Sequence, residues 1–166
     1  MTAMGNAIHS LADLRLYLLQ DIRRAERQMV RALPDLADRA RSPALRQALD
    51  DHMDEGRTHL ARLDEIFNLI GAAPRGMGCP AIEGLLHEAQ AMTGGIACPD
   101  LMDAALAAAA QAMEHYEITR YGTLIAWSQE LGQDRVVDLL GQTLAEEKAM
   151  DRRLSQLAQA RLNHAA

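Results

Sequence analysis

Apolar residues recur at intervals of three and four along four long stretches of this chain, and the helix-breaking residues fall between them. The first stretch runs from Ile8 to Arg39, with its stripe at Leu11, Leu14, Leu18, Ile22, Ala25, Met29, Leu33 and Leu36. Pro34, late in it, is expected to kink or end the regular helix. Ser42 and Pro43 supply an N-cap and a first-turn proline for a second helix, which continues to Ile70 and stops at Gly71. From Ala72 to Pro99 the pattern weakens under Pro74, Gly76, Gly78, Pro80, Gly94, Gly95 and Pro99, leaving one short helical stretch from Ala81 to Met92. A third long helix is expected from Asp100 to Leu131, ended by Gly132, and a fourth from Asp134 to Leu162.

Short links make antiparallel neighbours, and one long crossover between the second and third long helices is the connectivity of ferritin-like bundles. The pattern therefore predicts an all-α, ferritin-like antiparallel four-helix bundle, with a short extra helix in the crossover. One domain is expected over residues 1–166.

Composition supports the helical reading. Aromatic residues make up only 3% of a chain that is 49% hydrophobic, so Leu, Ala, Met, Ile and Val must build the interior, as in closely packed helices. A net charge of −6 argues against non-specific nucleic-acid binding. Arg23, Arg24, Arg27 and Arg31 form a basic strip at helical spacing, read as a solvated face. The spacing of Cys79 and Cys98 fits no zinc ribbon, redox Cys-x-x-Cys or disulfide framework, and both are expected to be free thiols. Met1 to Ser10 lacks the pattern of a signal peptide, and no stretch has the roughly 18 uncharged apolar residues of a membrane span. The expectation is a soluble cytoplasmic protein.

Each long helix breaks its own apolar stripe near the middle. Glu26 shares a face with Leu19, Ile22, Met29, Val30 and Leu33; His52, Glu55 and His59 stand within the second stripe. Glu117 lies in line with Ala110, Met113, Tyr121 and Leu124, with Glu114 bordering that face, and Glu147 and Asp151 interrupt the fourth. No lysine or arginine obviously faces these acids. Several carboxylates converging in a bundle would raise one another's pKa and oppose folding, whereas divalent cations remove the repulsion and use the oxygens as ligands. Two iron or manganese ions suit such donors; zinc, which accepts similar ones, remains open.

An internal symmetry points the same way. Glu55 and His59 recur as Glu147 and Asp151, each 92 positions on, and Glu26 recurs as Glu117 at an offset of 91. The expected metal set is thus Glu26, Glu55, His59, Glu117, Glu147 and Asp151, with Glu55 and Glu147 bridging. His59 could instead be hydrogen-bonded to a buried acid, and Asp151 could pair with Arg152 or Arg153. His52 is expected just outside the ligand shell, and Glu114 as an extra ligand or a flanking ion pair. Tyr121, four residues after Glu117, could donate to a ligand carboxylate or carry an electron. Glu146 and His115 are expected to point away, as surface or interhelix contacts.

These residues also carry a family likeness. Ala25-Glu26-Arg27-Gln28 with Ala32-Leu33-Pro34, Ser42-Pro43 leading into His52 to Glu65, and Pro74-Arg75-Gly76 with Cys79 and Glu83-Gly84-Leu85 contribute to it. So do Glu114-His115-Tyr116-Glu117 through Tyr121-Gly122-Thr123-Leu124, the most specific part, and Leu144-Ala145-Glu146-Glu147-Lys148. On them the chain resembles, from about Leu14 to Ala158, the YciE/YciF group of ferritin-like, stress-associated bacterial proteins. The resemblance implies a four-helix domain, dimeric, similar to rubrerythrin and other di-iron carboxylate proteins, without a settled activity. The broader di-iron pattern places Glu-x-x-His on two helices; here Glu55 and His59 are four apart, and Asp151 stands where a second histidine would be expected.

Two functions follow as expectations. The first is a stress-associated non-haem di-metal protein that reacts with dioxygen or peroxide, peroxidase- or ferroxidase-like, with electrons from an external donor. The second is a non-catalytic helical interaction protein, with a metal or without one.

Overall fold

In the computed structural model the described residues are 7–76 and 78–160, and they are all-helical around a four-helix bundle. Helix α1 spans Leu11–Arg39, α2 Pro43–Leu69, α3 Pro80–Gly94, α4 Met102–Glu130 and α5 Asp134–Ala160. The expected end of the last helix, at Arg161 and Leu162, and the first six residues lie outside the described range.

Local chemistry sets most of the boundaries. The hydroxyl of Ser10 accepts from the Asp13 amide (3.1 Å) and that of Ser42 from the Leu45 amide (3.3 Å), each satisfying a free N–H of a first turn. Gly71 and Gly132 both adopt φ 65°, and the next amide reaches back five residues, from Ala72 to Phe67 and from Gln133 to Ser128. That is the glycine-ended helix C-terminus, open to a residue without Cβ. Pro34 neither ends nor interrupts α1, which runs on to Arg39. The proline removes one backbone hydrogen bond, while Leu33, Leu36 and Ala37 stay buried around it and hold the turn. The third long helix starts two residues later than expected, because Pro99–Leu101 forms a 3-10 turn before α4. Asp103 in the first turn of α4 accepts from the amides of Arg41 (2.7 Å) and Ser42 (2.8 Å), tying the α1–α2 link to the end of the crossover.

Helices α1 and α2 form one hairpin and α4 and α5 the other; α1 packs across on α4 and α2 on α5. Helix α3 lies against α4 and α1. Leu19, Ile22, Leu45, Leu49, Leu63, Ile66, Phe67, Leu106, Met113, Leu124, Leu140 and Leu154 fill the interior. Burying one such side chain contributes about 1.5–3 kcal/mol, so a layer of buried acids in their midst stands out. Cys79 and Cys98 are free thiols, the first buried and the second exposed. Of the basic strip, Arg23 pairs with Asp64 (2.7 Å) and Arg24 with Asp21 (3.2 Å). Among the described residues no helix is long and apolar enough to cross a membrane.

Candidate metal centre

Half-way along the bundle the four long helices send six acidic and imidazole side chains to one place. Glu26 comes from α1, His52 and His59 from α2, Glu114 and Glu117 from α4, and Glu147 from α5; all six are buried. They form two overlapping groups, His52 with Glu114, Glu117 and Glu147, and Glu26 with His59 and Glu147. Within each group one ligand atom per residue lies within 4.8 Å of the others, and Glu147 belongs to both. Either group could hold a metal ion.

The contacts inside the cluster are close but incomplete. Nδ1 of His59 lies 3.0 Å from Glu147 Oε1 and 3.2 Å from Glu26 Oε1, yet it is in hydrogen-bonding geometry with neither. Nε2 of His52 is 3.0 Å from Glu114 Oε1 and 3.9 Å from Glu147 Oε2. Both oxygens of Glu117, both of Glu147 and one of Glu114 are buried without a hydrogen-bond partner among the described residues. A buried polar atom left unpaired costs about 1–3 kcal/mol, more when charged, so such a set calls for a ligand or for protons. Carboxylate oxygens and imidazole nitrogens in this number are donors for divalent first-row metals, and the residues fit such ions. Tyr121, fully buried, donates its hydroxyl to Glu26 Oε1 and fixes that carboxylate.

The electrostatics carry the same strain. Burial raises the Glu117 carboxyl well above its ordinary range, and the charges of Glu26, Glu147 and Glu114 push it further. Burial also raises Glu147, to about 8, against the opposing contact of His59. Burial alone would lower the two imidazoles. For His59 the carboxylates of Glu147 and Glu26 outweigh it and raise the pKa to about 10; for His52 Glu114 outweighs it and holds the imidazole well above its ordinary value. Without metal the cluster therefore holds protons that cations would displace.

Of the residues singled out in the sequence, Glu26, His59, Glu117 and Glu147 come together here, joined by His52 and Glu114. Glu55 and Asp151 do not join them. The side chain of Glu55 is 45% exposed and 3.7 Å from the outer nitrogen, Nδ1, of His52. Asp151 accepts from Gln111 (3.2 Å) and lies 3.3 Å from the exposed His115. The reason is helical phase. On α2 the inward arc is His52, Gly56 and His59, and Glu55 lies about 40° beyond it; on α5 Asp151 lies about 40° past Glu147. Gly56 lies on the opposite edge of the arc from Glu55, against α1, where an added Cβ would come within 2.7 Å of Val30 Cγ2. The two hairpins thus share an acid at matching positions in α1 and α4 but break the expected symmetry in α2 and α5.

Glu146, expected as a surface or interhelix contact, does make interhelix contacts, and they reach the centre through His59; Arg62 was not recognised in the sequence. Glu146 accepts from Nε2 of His59 (2.9 Å) and is clasped by both terminal nitrogens of Arg62, one at 2.9 Å. The signal available was position: Arg62 lies one turn after His59, and Glu146 borders the stripe that Glu147 enters.

Comparison with known proteins establishes the family and the fold. The family model described as "Domain of unknown function (DUF892)" matches residues 10–166. The chain belongs to this family. Protein YciF of Escherichia coli (strain K12) is 39% identical over 150 residues, covering 90% of each chain. The crystal structure of that E. coli protein, described as a stress protein, superposes with a TM-score of 0.90 at 37% identity over 95% of this chain and 99% of the other. YcfI of Rhodopseudomonas palustris superposes with a TM-score of 0.88 at 45% identity over 92% and 98% of the two chains. A protein of Xanthomonas campestris pv. campestris, 18% identical with a TM-score of 0.72 over 90% and 91%, shares the fold.

Proposed function

We propose that this member of the DUF892 family is a carboxylate-bridged di-metal protein, with iron or manganese as its metals and dioxygen or peroxide as its co-reactant. One observation carries the reading: buried carboxylate and imidazole atoms from four helices converge with their hydrogen-bonding capacity unused. His52, Glu114, Glu117 and Glu147 would hold one ion, Glu26, His59 and Glu147 the other, with Glu147 between them. Two adjacent redox-active ions supply the electrons and Lewis acidity for reaction at an O–O bond. The chain supplies the rest. Its apolar layers above and below the acids exclude water, Tyr121 orients Glu26, and Glu146 holds His59 with Nδ1 turned inward. The E. coli relative is described as a stress protein, and a role in oxidant defence extends that description to this chain.

Elemental analysis after anaerobic loading tests the proposal. The native protein is expected to retain about two equivalents of iron or manganese, and a Glu117→Gln, Glu147→Gln double variant to lose them with its helicity intact. Native protein that retains neither metal would sink the reading. Metal-loaded protein that neither oxidises Fe(II) nor consumes peroxide would remove the redox part.

A second reading has its own support: a metal-free bundle whose acids are neutralised by protons on Glu117, Glu147 and the two imidazoles. It agrees with the provisional naming of R. palustris YcfI as a structural protein. Metal-free protein that melts no lower than the loaded form would favour it.

A further inference from the structure

The two buried histidines turn opposite ring nitrogens toward the acids. His59 presents Nδ1, which lies between Glu147 and Glu26, and gives its Nε2 to Glu146. His52 presents Nε2 to Glu114 and Glu147, and its Nδ1 points outward, buried and without a hydrogen-bond partner among the described residues. A neutral imidazole carries its proton on one nitrogen and a metal-binding lone pair on the other, so whatever accepts the outward N–H decides which atom can bind.

For His59 that acceptor is in place. Glu146 is gripped by both terminal nitrogens of Arg62, which also donates to the Thr143 hydroxyl (3.3 Å), so the carboxylate cannot readily turn away. An ionised carboxylate only accepts, and Nε2 of His59 must therefore bear the hydrogen. For His52 the nearest candidate is Glu55, three residues on in the same helix. Its Oε2 is 3.7 Å from Nδ1, beyond a hydrogen bond but within reach of a side-chain rotation.

We infer that Glu146, anchored by Arg62, and Glu55 are positioning residues that assign opposite tautomers to the two histidines, so that His59 binds its ion through Nδ1 and His52 through Nε2. This rests on the di-metal reading above. It gives Glu55 a different task from that of a bridging ligand, and it makes the two metal groups unequal. The His59 group has its outer acceptor already fixed, whereas the His52 group completes its own when Glu55 closes.

The test uses zinc, which is diamagnetic, on protein labelled with nitrogen-15 at histidine. Long-range proton–nitrogen correlation spectra report which nitrogen of each ring is protonated and which is metal-bound, and competition with a chromophoric chelator gives the affinity. Native protein should show His59 metallated at Nδ1 and His52 at Nε2. Glu146→Ala should weaken zinc binding by about 10–100-fold and scatter the His59 signals between tautomers while leaving those of His52 in place. Glu55→Ala should do the same to His52 alone, with a smaller loss of affinity. Glu146→Gln, closer in shape, serves if the alanine variant loses helicity, and should move the same His59 signals. Either histidine bound through the other nitrogen, or both variants with native affinity and native spectra, would overturn the inference while leaving the metal site standing. Native protein that takes up neither zinc, iron nor manganese overturns the metal reading, and this inference with it.

Discussion

Two clusters of polar groups involve both α1 and α4, one partly buried beside α3 and the other buried among all four long helices, and they differ in how they are satisfied. In one, Tyr116 donates to Asp21 (2.6 Å), its oxygen faces the Cys79 thiol (3.3 Å), and Asp21 pairs with Arg24 (3.2 Å). The Arg120 guanidinium lies 4.9 Å from the centre of the Tyr116 ring, and Gln28 accepts from the Cys79 amide (2.7 Å). That network pairs every hydroxyl and carboxylate in it, leaving only Nε of Arg24 and of Arg120 without a partner among the described residues, and pins α3 and the crossover to the bundle. Burial, then Asp21, hold the Tyr116 phenol firmly protonated. In the other cluster, Glu117 follows Tyr116 directly in sequence but faces the bundle axis, where it and Glu147 have no hydrogen-bond partner among the described residues. Burial of polar groups is thus no signal of a ligand in itself; several buried carboxylate oxygens and imidazole nitrogens converging with unused lone pairs are.

The largest effect expected from this contrast is a gain of stability on metal binding. A ligand at 100 to 1,000 times its Kd stabilises the state that binds it by about 2.7–4.1 kcal/mol, which for a chain of this size raises Tm by roughly 5–15 °C. Scanning calorimetry with Mn(II) and then with excess chelator should show that shift and its reversal. Tyr116→Phe should retain it, and the Glu117→Gln, Glu147→Gln variant should lose it. Next comes a pair of substitutions with opposite signs in the metal-free protein. Asp21→Asn breaks a satisfied network and should cost about 1–3 kcal/mol. Glu117→Leu removes a buried acid among like charges and should be neutral or stabilising by up to about 3 kcal/mol, while abolishing metal binding. Chemical denaturation of both variants measures this, and equal destabilisation would erase the distinction between the clusters.

The pH dependence sharpens it further. Glu147 and Glu117 are raised in the folded state, so the stability from their protonated forms is complete below the ordinary Glu value of 4.5 and is lost as pH rises through the folded values, about 8 for Glu147. His59, raised from 6.5 to about 10, adds a loss over the higher part of that range. The metal-free protein should therefore melt at progressively lower temperature from pH 5 toward pH 9. Metal affinity should rise over the same range, because the ions displace those protons. A metal-free Tm that rises with pH would show that the acids are not buried together.

The fold was legible because the long helices carry apolar stripes at helical period and Ser42, Pro43, Gly71 and Gly132 mark their boundaries. Helix α4 is apolar on most of its circumference, since α1, α3 and α5 pack on three sides of it, and its period was weaker. Within the centre, Glu26, His59, Glu117 and Glu147 could be read as charges standing in apolar stripes. Glu55 and Asp151 could not be separated from them, because a spacing of four leaves a phase difference of about 40° that only packing resolves. Gly56 held a clue, a residue without a side chain where an added Cβ would meet Val30 of α1. The link of Glu146 to the centre, and with it Arg62, escaped because it runs through a ring nitrogen of His59 whose direction depends on the fold.

The smallest expected effect separates the two tyrosines of α4. Tyr121 and Tyr116 each donate to an acid of α1, Glu26 and Asp21, and each loses that hydrogen bond on truncation to Phe, Tyr116 together with its weak contact to the Cys79 thiol. As structural losses both should cost about 1 kcal/mol. Only Tyr121 holds a carboxylate of the centre, so only Tyr121→Phe should also weaken Mn(II) binding, by about tenfold, as Glu26 gains freedom to turn. Isothermal titration of both variants beside their denaturation curves makes the comparison. Equal stability losses with unequal metal affinities are expected. Unchanged affinity in Tyr121→Phe would mean that Glu26 is held by packing between Ala25 and Met29, and that the phenol serves the core alone.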